Sequence, residues 1–253
     1  MVRISELRRV GLARALSKLG YCSRSHASEL IRAGHVRLNG ATVRNPETPV
    51  RMQSDKVEVD NRPVREGNRI YLMLNKPRGV VTTASDEKGR ETVYAALGGG
   101  MPWVAPVGRL DKASEGLLLL TNDSEWAARI TAPENRLGKT YHVQVAALTD
   151  AALTESLTKG VRTANGDVLR VKSAEILRRG ERNTWLVIVL DEGKNRHIRR
   201  MFEAKGIEVL RLVRVAIGPL LLGALPKGSC RGLDANEKTA LDSALAKNRR
   251  SLM

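Results

Sequence analysis

The sequence predicts an α+β fold, with a small N-terminal module followed by a larger mixed domain. Three observations carry this reading. Helical periodicity and a hairpin signal crowd into residues 10–60. A stretch at 61–68, NRPVREGN, is rich in turn formers and has no period. Beyond it, apolar strands and helical stretches mix without a regular βαβ rhythm. The chain has 253 residues, 42% hydrophobic and 28% charged, which is globular composition with enough length for each part to bury a core.

The elements follow in order. Residues 1–9 read as a short basic tail. From Leu12 the pattern turns helical, with Leu12, Leu16 and Leu19 on one face and Arg14 and Lys18 together on another. Gly20 ends that helix. Ser23 or Ser25 can cap the next, whose apolar side is Ala27, Leu30 and Ile31 and which stops at Gly34. His35–Asn39 reads as a strand. Asn39-Gly40 is a hairpin turn into Ala41–Val43, and Asp55–Asp60, with Val57 and Val59 alternating, closes a small sheet. A unit of this size is a marginal folder. Residues 61–68 form the linker.

The second domain, 69–235, opens with the strand IYLMLNKP. Arg78 to Arg90 reads as loop. Gly98-Gly99-Gly100 is a flexible loop and not a phosphate cradle, because no Gly-Lys-Ser/Thr follows. Strands are expected at Val104–Val107, Leu117–Thr121, Thr140–Ala146 and Trp185–Leu190. Helices are expected near Trp126–Ile130, Ala151–Lys159 and Ile198–Lys205. Residues 236–253 are a basic C-terminal tail, read beyond Leu241 as a frayed helix.

Charge narrows the function. Lys plus Arg number 43 against 27 acids, a net charge of +16. Such an excess points to a polyanionic partner, since cations that neutralise phosphates release condensed counterions. Aromatics make up only 3%, too few for a stacking platform on single strands, so binding is expected to rest on charge and shape. Cys22 and Cys230 match no metal spacing, and Cys22 with His26 lacks a second pair, so both read as reduced cytoplasmic thiols. The N-terminal stretch lacks the apolar core of a signal peptide. Apolar runs such as Gly116 to Leu120 are far short of a membrane span. A soluble, cytoplasmic monomer is expected.

The stretch PVGRLDKASEGLLLLTND, residues 106–123, carries the chemistry. An apolar strand runs into Gly108-Arg109-Leu110-Asp111, a polar turn follows, and a second apolar strand leaves it. Asp111 therefore sits in a loop framed by two buried strands, where a carboxylate can be aimed. An aspartate at a strand end is also a common turn-maker. A metal-dependent nuclease would draw on Asp111, Glu115 and Asp123, but no tight acidic motif joins them.

GRLDKASEGLLLLTND resembles the signature of the pseudouridine synthases that modify bacterial ribosomal RNA. LNKPRGVVTT (74–83) resembles the strand and loop that open that family's catalytic domain, GKTYHVQV (138–145) its tyrosine motif, and EGKNRHIRRMFEAKGIEVLRLVRVAIGPLLL (192–222) its C-terminal basic motif. Ahead of them, LARALSKLGYCSRSHASELIRAGHVRLNGATV resembles the small RNA-binding module named for ribosomal protein S-four. The resemblance spans about residues 10–235. It implies a mixed, mainly antiparallel catalytic sheet, and conversion of uridine to pseudouridine with base flipping and without cofactor or metal. The implied substrate is ribosomal RNA or an assembly intermediate, large-subunit RNA before small-subunit RNA.

Residue by residue, the resemblance implies Asp111 as the essential carboxylate, Tyr141 as the active-site tyrosine and Arg199 as the basic partner of Asp111. Arg109, with Leu110 beside it, is implied to shape the site or hold the displaced nucleotide, and Ile198 to line the base pocket. Arg24, Ser25, Arg32 and Lys18 are implied to face phosphates. The basic run Lys194, Arg196, Arg199, Arg200, Lys205, Arg211 and Arg214 is expected to grip the RNA backbone. Tyr141 also fits a core tyrosine on the face of Val143 and Val145, and His197 reads as a partly exposed structural residue. A non-catalytic RNA-binding assembly factor is the competing reading; it fits the charge and leaves the aspartate, tyrosine and arginine motifs without a role.

Overall fold

The computed structural model describes residues 9–83, 89–98 and 101–250. The expected basic tail, apart from Arg9, lies outside the described residues, as do Gly99, Gly100, the centre of the 78–90 loop and the last three residues. The chain divides into two compact units. One is built on residues up to Ile70 with the short pieces 99–105 and 121–124; the other holds Tyr71–Gly98, Pro106–Leu120 and the chain from Glu125 onward.

In the first unit the elements are β1 (Val10–Gly11), α1 (Leu12–Lys18), α2 (Arg24–Ala33), β2 (Val36–Leu38), β3 (Ala41–Thr42), β4 (Pro49–Val50), β5 (Val57–Val59) and β6 (Arg62–Pro63). The sheet runs β3-β2-β5-β6, and β1 pairs with β4. Ser23, and not Ser25, caps α2: its Oγ accepts from the His26 amide at 3.1 Å. Asn39 and Gly40 take φ of 53° and 85°, the two consecutive positive values that a tight hairpin turn requires. Arg62–Pro63, inside the stretch read as linker, pairs with β5 at the sheet edge, where a residue without an N–H costs no ladder bond. Leu12, Leu16, Ala27, Ile31, Val36 and Val59 bury against one another.

The second unit contains β7 (Tyr71–Lys76), β8 (Ala105–Pro106), β9 (Glu115–Thr121), α3 (Ser124–Thr131), β10 (Lys139–Val145), α4 (Ala151–Lys159), β11 (Val161–Arg162), β12 (Val168–Leu169), β13 (Ser173–Arg179), β14 (Thr184–Leu190), α5 (His197–Glu203), β15 (Val209–Ile217), β16 (Leu220–Leu221), β17 (Cys230–Gly232) and α6 (Ala235–Arg250). The main sheet has the order β13-β14-β10-β15-β9-β7-β17. The pairs β13–β14, β14–β10, β10–β15 and β7–β17 are antiparallel, whereas β9 and β15 meet in a short parallel contact, Val213 to Glu115 and Arg214 to Gly116. The fold is α+β, as expected.

Two apolar clusters hold this unit. Val143, Leu186, Ile188 and Leu212 from the sheet pack with Leu157 of α4 and Ile198, Met201 and Phe202 of α5. Met73, Leu117, Leu119 and Ile217 pack with Trp126 and Ile130 of α3 and with Leu241 and Leu245 of α6. All of β9 is buried, which explains its unbroken apolar run, since a strand covered on both faces need not alternate.

Two features differ from the sequence reading. β13 and β15, with the two- and three-residue strands β11, β12, β16 and β17, are not among the expected strands. β13 is an edge strand with mostly exposed or half-buried side chains, so it lacks an apolar signal, and register shifts in the β10–β15 pair break the alternation of β15. The expected frayed tail is instead a continuous helix. Leu241, Ala244 and Leu245 give α6 an apolar stripe, and Asp242 accepts a 2.9 Å hydrogen bond from the buried Trp126 indole. Leu241 is fully buried, so Leu241→Ala is expected to cost about 2–5 kcal/mol, read as a lower urea midpoint for the second unit. An unchanged midpoint would mean that α6 contributes nothing to that core.

Candidate active site

The loop from Gly108 to Ser114 carries Asp111, and it is held from below by one lysine. Lys76 ends β7 with its side chain fully buried. Its ammonium donates to the carbonyl oxygens of Pro77 at 3.0 Å, Asp111 at 3.2 Å and Ser114 at 2.8 Å. The donors and acceptors match one for one, since an ammonium has three N–H groups. Burial pulls Lys76 down to about 8, with Asp111 and Glu115 opposing the fall and Arg214 adding to it.

Further bonds fix the same loop. The Thr82 hydroxyl donates to the Leu110 carbonyl at 2.8 Å and lies 3.3 Å from the Leu110 amide. The Gly79 amide donates to the Lys112 carbonyl at 2.8 Å. Arg199, from α5, donates to the Ala113 carbonyl at 3.0 Å and the Val209 carbonyl at 3.1 Å. The expected Arg199–Asp111 ion pair is therefore not formed among the described residues. The guanidinium fork spans two backbone carbonyls and ties the aspartate loop to the start of β15. Burial lowers Arg199 from its ordinary value, Arg196 adds to this, and the Asp111 charge opposes it.

Above the loop lies a cavity of about 420 Å³, within the usual size range for a small-ligand pocket. Asp111, Arg109 and Leu110 form one wall; Lys139 and Tyr141 of β10 with Leu212 and Arg214 of β15 form another; Lys194, Arg196 and Ile198 approach from the α5 side. Arg196 reaches its place through a left-handed turn, φ 49° and ψ 30°, immediately before α5, a conformation that costs on the order of 1–3 kcal/mol for a non-glycine residue. That turn sets the basic segment at the pocket and sends Ile198 into the core behind it.

The structure thus brings together Asp111, Tyr141, Arg109, Leu110, Ile198, Lys194 and Arg196, while Arg199 holds the loop from behind. Arg200 is committed elsewhere: it pairs with Asp167 at 2.5 Å and bonds Asn165, clamping the β11–β12 hairpin. Arg211 is tied to the buried Glu115 at 3.0 Å, as is Lys227 at 2.5 Å. Both cations neutralise Glu115, and no cluster of three or more His, Cys, Asp or Glu side chains placed to hold a metal ion occurs among the described residues. Contrary to expectation His197 is buried, and its Nε2 donates to the Arg170 carbonyl at 3.0 Å. In the first unit Arg24, Ser25 and Arg32 are exposed on α2.

Sequence reasoning missed Lys76, Lys139 and the position of Arg214. Arg214 was expected to grip backbone from the surface, yet it is only 5% exposed. A signal was available: between the two register shifts Leu212 and Arg214 share one face of β15 by period-two alternation, which points the arginine to the side of a buried leucine.

Residues 70–204 match the family model described as RNA pseudouridylate synthase, and residues 10–57 match the S4 domain. An RNA pseudouridine synthase of Rickettsia prowazekii, itself uncharacterised, is 38% identical over 86% of this chain and 92% of its own. The ribosomal large subunit pseudouridine synthase B of Bacillus subtilis is 36% identical over 89% of this chain and 93% of its own. A solved structure, described as the crystal structure of pseudouridylate synthase, is similar with a TM-score of 0.64 at 29% identity, covering 92% of this chain and 99% of that one.

Lys76→Met keeps the length of the side chain and removes all three donors. It is expected to raise amide exchange across Asp111–Ser114, because buried carbonyls left without a donor cost about 1–3 kcal/mol each. Unchanged protection there would show that the loop is held without the ammonium.

Proposed function

The chain belongs to the RNA pseudouridylate synthase family, and from that premise we propose that it isomerises a defined uridine of ribosomal RNA, large-subunit RNA before small-subunit RNA. The supporting observation is the convergence of the Asp111 loop, Tyr141 and Ile198 on one pocket of nucleoside size. The similarity to the Bacillus subtilis large-subunit enzyme over most of both chains favours ribosomal RNA, and the S4 domain with the +16 charge supplies a second means of holding it.

The reaction breaks the N1–C1′ bond of uridine, turns the base, and forms C5–C1′. C5 gives up its proton and N1 takes one, so no oxidant, reductant or net water is needed. In this reading Asp111 is the carboxylate at the sugar, where positive charge at C1′ is stabilised as in glycoside cleavage. Tyr141 stacks on the base and offers a phenol for proton relay. Arg199 keeps the loop in place. A uridine in folded RNA must leave its stack to reach Asp111, costing on the order of a few kcal/mol. The exposed cations Arg109, Lys194 and Arg196 offset this by holding the backbone at the pocket mouth, and Arg24, Ser25 and Arg32 contact phosphates further along.

The test is pseudouridine mapping of ribosomal RNA, both free and as assembly intermediates, after incubation with wild type or Asp111→Asn. One new pseudouridine made by wild type alone is expected. Tight binding with no isomerisation on either substrate would instead support a binding role in assembly.

Lys76 adds a pH dependence. The neutral amine has two N–H groups for three carbonyl oxygens, so the loop loosens and turnover is expected to fall as pH rises through about 8. Stability moves the other way. The folded value is depressed, so the unfolded chain holds the extra proton above about 8; the folding penalty of the charge is complete below that pH and is relieved above it. A single-turnover rate that falls while the urea midpoint holds or rises fits this account. A rate flat through this region would show that the ammonium is not needed.

A further inference from the structure

One cation of the pocket has no part in the reaction as described so far. Arg214 sits on β15 directly across from Tyr141 of β10 and is 5% exposed. Its Nε donates to the Leu117 carbonyl at 2.7 Å, and its Nη2 is buried without a hydrogen-bond partner. No carboxylate within ion-pair distance of it occurs among the described residues. Its charge helps to lower the values of Lys76 and Lys139, while Asp191 acts on Lys139 in the opposite sense. A buried guanidinium with an idle donor and no anion is costly. Such a group is retained where something else supplies the acceptor.

We propose that the Arg214 guanidinium donates to a carbonyl oxygen of the flipped uracil and stabilises the negative charge that the base carries while detached from the ribose. This rests on the reading of the pocket as the site of uridine isomerisation. When N1–C1′ breaks, the bonding pair stays with N1 and conjugation spreads its charge onto O2 and O4. When C5–C1′ forms and the proton passes from C5 to the medium and one returns to N1, that charge is gone. A fixed guanidinium at one of these oxygens binds the detached base more strongly than the neutral uridine, and so acts on rate. The depth of the group selects a base over a phosphate: Arg109, Lys194 and Arg196 are exposed and can meet the backbone, whereas Arg214 is buried on the strand that carries Leu212 and Ile217 into the same pocket.

The tie to Leu117 makes the aim rigid. β9 and β15 approach so closely at Gly116 that a Cβ there would stand 2.2 Å from the Arg214 carbonyl oxygen. Gly116 has φ 100°, open to glycine alone at little cost. The backbone of Arg214 is thus fixed by β9 on one side and β10 on the other, and its side chain lines the pocket.

The experiment uses the full chain and a stem-loop RNA spanning the mapped uridine, with uridine, 2-thiouridine or 4-thiouridine at that position. Sulfur accepts hydrogen bonds weakly. One of the two thio substitutions is expected to slow wild type about tenfold or more in single turnover. Arg214→Met is expected to lose roughly 100-fold in kcat, with KM changed less than about threefold, and to become indifferent to the sulfur. Arg214→Lys, which keeps the charge but cannot span Leu117 and the base together, serves if the Met variant does not fold and is expected to lose rate in the same way. The proposal is overturned if neither sulfur slows wild type, if a folded variant keeps the full rate, or if the sulfur and the substitution slow the reaction independently. Wild type that isomerises no uridine counts instead against the pocket as the isomerising site.

Discussion

The second unit is organised around a buried ammonium. Lys76 lies at the end of a strand in which Leu72, Met73 and Leu74 are buried, and its charge is taken out of water. That desolvation costs several kcal/mol in typical interiors, and Asp111 and Glu115 offset part of it. What it provides is geometry: one atom joins the carbonyl of its neighbour Pro77 to those of Asp111 and Ser114, which lie far along the chain from it and mark the middle and the end of the aspartate loop. A leucine here would suit the core better and would leave those carbonyls unsatisfied. The loop can be a loop, with its backbone groups turned away from any ladder, because Lys76 takes the place of a strand beneath it.

The parallel contact between β9 and β15 extends the same constraint. Its ladder is short, and Gly116 permits it. Gly108–Asp111 and Ser114, which precede β9, line the cavity together with Leu212, Arg214 and Ile217 of β15. The pocket is therefore a consequence of strand order: a parallel pair inserted among antiparallel ones leaves a crevice at its end, much as ligands collect at topological switch points elsewhere. Arg199 closes the crevice from behind by joining Ala113 to Val209. In this state the arginine acts on the aspartate through the backbone and through space, and direct pairing is not part of how the loop is held.

Much of this was legible in the sequence, and for identifiable reasons. Asp111 could be placed because strong apolar runs frame it, and α1, α2 and the Asn39-Gly40 turn because capping residues and turn glycines are local signals. Residues whose importance comes from long-range contacts were not legible. Nothing adjacent to Lys76 in sequence predicts that its acceptors come from residues near 111 and 114. Arg199 was recognised, but its partners were not, since Ala113 and Val209 contribute carbonyls, which carry no side-chain identity. Arg200 and Arg211 look alike in composition, yet one clamps a hairpin and the other neutralises Glu115. The apolar stripe of α6 was readable in principle but was masked by the basic residues that flank its two leucines, Lys238 on one side and Lys247, Arg249 and Arg250 on the other.

The cations of the second unit then sort by depth into different kinds of work. Those at the rim of the cavity are screened by solvent and ions, with a Debye length of roughly 8 Å under physiological salt, so they govern encounter and affinity and do so in a salt-dependent way. Those inside, Lys76 and Arg214, are shielded from salt and can act on a single backbone loop or a single bound group. The same positive charge would be wasted on the interior if it served only affinity, because each buried cation lowers the stability of the empty fold. Lys76 is compensated permanently by the three carbonyls it holds. For Arg214 the proposed role supplies the match: the folded chain carries the cost at all times, and the compensation comes when negative charge develops on the detached base. In that reading an aspartate that stabilises positive charge on the sugar and a guanidinium that stabilises negative charge on the base divide one heterolysis between two walls of a single cavity.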